Sequence, residues 1–204
     1  MTLENLQKIN NIFVGMFKVI YLNILWFVFS ILGLGVFGIG PATYAMSKYL
    51  DQWLRLKREI PITKNFTHYF FERYWQSVIV SLIYAAGLVV VLVNLFNLKN
   101  NSLRIVNIVF LFFILIAFTH VFKVMVATNF KKIYELIRGA FLLGFGYLLQ
   151  TALAWVVISA IYLAISKLVP ILLPIYGIGF VGFVLSLDGN WILRNLESKQ
   201  EVSS

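Results

Sequence analysis

Few residues in this 204-residue chain have the type and spacing that chemistry requires. His68 and His120 stand far apart, and neither has a second ligand four residues on, so a zinc site of the common helical kind is missing. Cysteine is absent, which removes thiolate metal ligands, disulfides and thiol nucleophiles. Asp51, Glu59, Glu72 and Glu135 lie beside lysines and arginines, the pattern of solvated ion pairs rather than of an acid–base pair. Gly33-x-Gly35-x-x-Gly38 matches the dinucleotide fingerprint in letters, but that motif needs a βαβ unit, and here it ends an apolar run. Gly177, Gly179 and Gly182 stand in equally apolar surroundings, where small residues let helices approach closely. Glycines near a proline also unwind helix ends, so that backbone groups line a cavity. These readings predict neither an enzyme nor a cofactor nor a metal.

Polar residues inside apolar stretches are the remaining chemical signal, because each is costly in lipid and turns toward a partner helix or a cavity. Asn23, Asn94, His120 and Gln150 are the candidates. Hydrogen bonding between helices is their default role, about 0.6–2 kcal/mol each. Asp188, in Leu187-Asp-Gly-Asn190, reads as part of a helix-ending turn at the edge of the last apolar run, where a carboxylate can pair with a loop arginine or act in gating. No carboxylate falls inside a predicted span, which argues against a proton- or ion-coupled pump.

The elements that must carry these residues follow from hydropathy. A chain that is 61% hydrophobic and 12% charged cannot fold as a soluble domain without exposing large apolar patches. The expected fold is all-α, a polytopic membrane helical bundle forming one integral membrane domain over residues 1–204. Uncharged stretches bounded by charge clusters place five spans at roughly 19–39, 76–98, 105–122, 139–166 and 171–187. The first run is too long for a secretion signal, Glu4 dilutes its basic flank, and no small-x-small site follows, so it is expected to be retained as a span.

Lysine and arginine set the orientation. The loops after spans one and three carry Lys48, Arg55, Lys57, Arg58, Lys64, Arg73, Lys123, Lys131, Lys132 and Arg138; the other two carry Lys99, Arg104 and Lys167. This bias predicts an N-terminus outside and a cytoplasmic C-terminal tail with Arg194 and Lys199 in a multi-pass cell-membrane protein. Lys8 and Lys18 flank the first span on the opposite side, and a re-entrant or interfacial N-terminal segment is the alternative.

Between spans one and two, residues 41–75 read as two amphipathic cytoplasmic helices. Pro41 is expected to open the first. Met46, Tyr49, Leu50, Trp53 and Leu54 fall on one face, with Lys48, Asp51, Gln52 and Arg55 on the other. After Pro61, Phe66, Tyr69, Phe70 and Tyr74 recur at helical spacing among Lys64, His68 and Arg73. Such helices either lie in the headgroup layer or dock a partner. The docking candidates are Met46, Tyr49, Leu50, Trp53, Arg55, Phe66, Tyr69 and Phe70. Asn65-Phe66 and Asn129-Phe130 each lead into a span, suggesting two equivalent hairpins offset by 64 residues.

The net charge of +9 is spread through short loops among aromatics, as anionic lipid headgroups require, and no nucleic-acid motif accompanies it. Tyr21-Leu-Asn-Ile-Leu-Trp26, Gly38-Ile-Gly-Pro-Ala-Thr-Tyr-Ala45, the basic helix to Arg58 and the segment Phe66 to Tyr74 together resemble the YesL-like family of small bacterial membrane proteins. The resemblance implies a bacterial membrane protein of a family without known catalytic residues, often encoded beside carbohydrate ABC importers. Two functional expectations follow. One is a non-enzymatic accessory protein that packs against the permease subunits of a carbohydrate ABC importer. The other is a small solute transporter or channel acting as a homo-oligomer.

Overall fold

The computed structural model describes residues 3–203; the side chains of Glu4, Lys8 and Lys199 lie outside the described residues. The described residues form eight helices: α1 (Leu3–Leu32), α2 (Val36–Leu54), α3 (Ile62–Glu72), α4 (Tyr74–Asn97), α5 (Asn101–Ala127), α6 (Ile133–Gly146), α7 (Leu148–Leu168) and α8 (Leu172–Ser203). Five segments are long and apolar enough to cross a membrane: Asn10–Leu32, Tyr74–Asn97, Asn101–Ala127, Leu148–Leu168 and Leu172–Leu196. Phe96, Leu149, Val156 and Leu163 stand on the outside of the bundle, an apolar surface that hydrocarbon covers at no cost. The all-helical, multi-pass bundle expected from hydropathy is the observed architecture.

The first apolar run does not cross as one helix. It folds back at Gly33–Gly35, where Leu34 and Gly35 take φ of 60° and 69°. A Cβ on Gly38 would overlap the Ser30 carbonyl, so α1 and α2 leave this turn in close antiparallel contact. Trp26 Nε1 donates to Thr43 Oγ1 at 3.0 Å, and Trp53 lies against Gly15. Lys18 pairs with Glu59 at 2.5 Å, which ties α1 to the loop after α2. The predicted span at 19–39 is thus the second half of α1 plus the start of α2.

Helix α2 is the largest departure from expectation. It begins at Val36, five residues before Pro41, so the proline lies inside the helix rather than at its start. It also does not lie along a surface. Tyr44, Met46, Tyr49 and Leu50 are buried, and the helix packs on α1, α3, α4, α5 and α8. A Cβ on Gly40 would overlap the Ser77 carbonyl, so α2 meets α4 almost backbone to backbone. The amphipathic pattern was real, but its apolar face points into the bundle and its charges find partners inside the protein.

Three other boundaries move. The predicted fourth span breaks at Tyr147 into α6, which packs along α5, and α7. α5 runs to Ala127 and so carries Lys123, read earlier as a loop cation, into the bundle. α8 continues through Asp188-Gly-Asn190, where a turn was expected, because Gly189 leaves room for the Lys123 stem to cross it.

Two kinks resemble one another, at positions other than those expected for a repeat. Short α3 meets α4 at Arg73 (φ −128°, ψ 42°), and short α6 meets α7 at Tyr147 (φ −127°, ψ 35°). Four residues beyond each kink a buried hydroxyl returns to its carbonyl: Ser77 to Arg73 O at 2.9 Å and Thr151 to Tyr147 O at 3.1 Å. The expected pairing of Asn65 with Asn129 fails because Asn65 is helical while Asn129 lies in the α5–α6 loop.

Candidate functional site

The feature with most chemical content is a buried polar knot where α2, α5 and α8 meet. Lys123 Nζ on α5 donates to Asp51 Oδ1 on α2 at 2.8 Å and to Asn190 Oδ1 on α8. Asp51 is also held by a fork from Arg55, Nε to Oδ1 at 3.0 Å and Nη2 to Oδ2 at 2.9 Å. The Asp51 and Lys123 side chains are 1% and 6% exposed, so the pair is largely withdrawn from water. Burial pushes the Asp51 carboxyl up, but hydrogen bonds and charge from Arg55 and Lys123 outweigh it and hold it below the ordinary carboxylate range. A Cβ on Gly189 would press on the Lys123 stem, so a glycine there gives the lysine its path between helices.

Above this knot lies a cavity of about 410 Å³ among α1, α2, α4, α5, α7 and α8. Its size falls in the roughly 300–1,000 Å³ range of small-molecule sites. Leu88, Leu115, Phe118, Phe122, Ile178 and Val181 are among the apolar residues of its wall. Thr43 and Thr119 accept from the indoles of Trp26 and Trp155, at 3.0 and 3.1 Å, and are thereby committed. Lys123, Ser47 and Ser186 supply the other polar groups of the lining. Gly182 also faces it, against the Met46 thioether.

The predicted intramembrane residues divide. Asn23, 2% exposed, bridges a break in α8: its Nδ2 donates to Pro174 O and Ile175 O, both at 3.0 Å, and its Oδ1 accepts from Gly179 N at 3.1 Å. The break is at Gly177 (φ 26°, ψ −127°), whose carbonyl accepts from the Tyr162 hydroxyl. The glycines near Pro174 therefore do unwind a helix, and Asn23 satisfies the freed backbone groups. His120 is buried and shares a 2.8 Å hydrogen bond with Thr151 on α7. Gln150 and Asp188 line one shallow groove between α7 and α8, with Asp188 Oδ2 buried and without a partner. Asn94 is exposed on the outside of α4 and joins nothing in this group.

The docking candidates lie mostly inside the protein. Met46, Tyr49, Leu50, Phe66 and Phe70 are buried in one cluster between α1, α2 and α3, where they cannot meet another protein. Phe29 explains part of this, packing its ring 5.3 Å from Phe66 and 5.0 Å from Phe70. Tyr69 is half-buried under Lys48, Trp53 is half-buried between Lys18 and Phe183, and Arg55 is committed to Asp51. Burial pushes the Tyr49 phenol up to about 12, in keeping with an interior position.

The sequence reading missed Asp51, Lys123 and Asn190 as a unit. The signal that could have found them is Val121-Phe-Lys-Val-Met-Val-Ala127, where a single lysine interrupts an apolar run that resumes for a full turn.

A family described as "Protein of unknown function, DUF624" matches residues 19–95, a stretch that contains Asp51 but neither Lys123 nor Asn190. The chain is 26% identical over 169 residues to the uncharacterized protein YteU of Bacillus subtilis (strain 168), covering 80% of this chain and 75% of that protein. It is 35% identical over 75 residues to the uncharacterized protein YesL of the same organism, covering 37% of this chain and 36% of YesL. A third relative, the uncharacterized protein YesV of that strain, is 30% identical over 77 residues, or 38% of this chain and 37% of YesV. No solved structure matches. Over residues 19–95, which hold the segments from Tyr21 through Tyr74, this chain is thus similar to a family of unknown function, and it is similar to the uncharacterized proteins YteU, YesL and YesV.

Proposed function

We propose that this chain is a non-enzymatic membrane protein whose working site is the cavity within its own bundle, and that it binds and passes a small solute there. The carrying observation is Lys123, an ionisable residue inside a span, buried with Asp51 and Asn190 at the wall of that cavity. Ionisable groups at membrane depth are expensive, face the bundle interior or a cavity, and mark solute and ion pathways. Lys18 pairs with Glu59, Trp53 lies against Gly15 and Arg194 reaches the Arg55 carbonyl, so the start of α1 and the end of α8 lie beside the basic loop after α2, and on the loop cations that end of the bundle faces the cytoplasm.

The absence of native cysteine makes the test direct. Ser47→Cys and Ser186→Cys place single thiols on the cavity lining, with Lys131→Cys as an exposed loop control. A membrane-impermeant thiol reagent applied to each face in turn labels both cavity positions from at least one side, and a bulky Val181→Phe slows that labelling. Silence at both cavity positions while Lys131→Cys labels would sink the reading.

A second reading, the accessory protein on the permease subunits of a carbohydrate ABC importer, draws on a different surface from the one first expected. Phe71 and Trp75 stand exposed at the junction of α3 and α4, beside Lys64 and His68. Exposed aromatics of this kind are enriched in interface hot spots. Recovery of permease subunits in near-equal amount with tagged protein from the native membrane, lost in Trp75→Glu, supports that reading; recovery of the chain alone or as a homo-oligomer removes it.

A further inference from the structure

We propose that the solute of this cavity is an amphipathic carboxylic acid, an apolar body with one carboxylate, and not a sugar; the inference rests on reading the cavity as the solute site. The argument is the distribution of hydrogen-bonding capacity around the wall. An ammonium offers three donors. Lys123, one of the residues that line the cavity, spends one on Asp51 and one on Asn190 and has a third in hand. Ser47 and Ser186 line the same cavity, while the Thr43 and Thr119 hydroxyls are already used within it, each donating to its own helix and accepting from an indole. Lys123, Ser47 and Ser186 are together enough to receive one oxygen-rich head group.

The rest of the lining is apolar. Leu88 on α4, Leu115, Phe118 and Phe122 on α5, and Ile178 and Val181 on α8 offer a solute no hydrogen bonds. A sugar carries a hydroxyl on nearly every carbon, and buried hydroxyls without partners oppose binding. An alkyl or aryl body loses nothing against the same wall and gains the hydrophobic transfer. The lysine sets the sign of the head. Lys123 and Arg55 are two cations against the single Asp51 carboxylate, so the knot keeps a positive excess that opposes a cation; a neutral alcohol gains an ordinary hydrogen bond, and a carboxylate gains a charge-assisted one.

The test uses the full chain in lipid nanodiscs with a diazirine-bearing decanoic acid, and with the matching diazirine-bearing alcohol as neutral probe. Adducts are mapped by peptide mass spectrometry, with unlabelled decanoic acid, decanol and maltose as competitors. The expected result is light-dependent adducts on the cavity-lining segments of α5 and α8, displaced by decanoic acid at a concentration at least about tenfold below decanol, the scale of one charge-assisted hydrogen bond. Maltose leaves the adducts in place. Val181→Phe removes them, and Ser47→Ala with Ser186→Ala weakens competition by the acid more than competition by the alcohol, which narrows the gap between them. Equal competition by acid and alcohol, or displacement by maltose, overturns the solute class but leaves the cavity as the site. Adducts from both probes confined to lipid-facing positions such as Val156 and Leu163 overturn the site itself, and the solute class with it.

Discussion

Asp51 and Lys123 should not be equivalent in their cost of removal, although they form one ion pair. Among the described residues Lys123 has a single counter-charge within reach, Asp51 at 2.8 Å, with the Asn190 amide as its other partner. Asp51 has two cations, because Arg55 one turn along α2 forks onto both of its oxygens. In Asp51→Asn the lysine keeps its charge, in a site where its side chain is 6% exposed, with no anion to balance it. Stranding one member of a buried pair costs about 3–5 kcal/mol. In Lys123→Met the carboxylate keeps Arg55, whose side chain is 19% exposed and reaches water, so the loss is one charge-assisted hydrogen bond, about 1.5–3 kcal/mol. The double variant Asp51→Leu, Lys123→Met removes both charges, and recovers much of what Asp51→Asn loses. The assay is reversible unfolding in mixed micelles at rising SDS fraction, followed by the signals of the interior tryptophans. Equal losses in the two single variants, or a larger loss in Lys123→Met, would refute the reasoning that Arg55 is the reserve partner.

Three further outcomes follow from the packing and the ionisable groups. Gly40→Ala drives a methyl into the Ser77 carbonyl and should cost about 1–3 kcal/mol, whereas Gly146→Ala, with open space around its Cβ, should cost nothing in the same unfolding assay. Asn23→Leu strands the freed backbone of the α8 break and should cost about 1–3 kcal/mol or more, while Asn94→Leu on the exposed outside of α4 stays within about 0.5 kcal/mol; equal effects would mean that Asn23 is not bracing the break. Burial pushes the phenols of Tyr44 and Tyr49 up to about 12, and unfolded tyrosine titrates near about 10. Their folded values are the higher ones, so their contribution is intact below the unfolded value and is lost as pH rises between about 10 and 12; apparent stability should fall through that window, and less steeply in Tyr49→Phe.

How the family resemblance maps onto the fold is itself informative. The matched stretch, residues 19–95, contains the α1–α2 turn, the whole of α2 and α3, and most of α4. Those are the elements with the tightest backbone approaches, at Gly38 on Ser30 and Gly40 on Ser77, where no larger residue fits. Lys123 and Asn190, which complete the polar knot, come from helices outside that stretch.

Length, apolar composition and the spacing of charge clusters determined the class by themselves: an all-helical bundle with five helices long and apolar enough to cross a membrane. That is legible because the bilayer imposes a length on every crossing helix, and a length can be counted along a chain. The same sequence marked Asn23, Asn94, His120 and Gln150 as costly in lipid without saying what each would meet, and Asn94 meets no partner helix among the described residues. Only the tertiary structure decided that Asn23 mends a broken helix 151 residues away, and that α2 runs through the middle of the bundle. A helix with one apolar face looks identical whether that face meets headgroups or five other helices, since the pattern records only that the face avoids water. Asp51 and Lys123, 72 residues apart, read as separate solvated charges for the same reason. Whether a charge is paired inside a bundle depends on which helix crosses it, and crossing is a property of packing rather than of spacing.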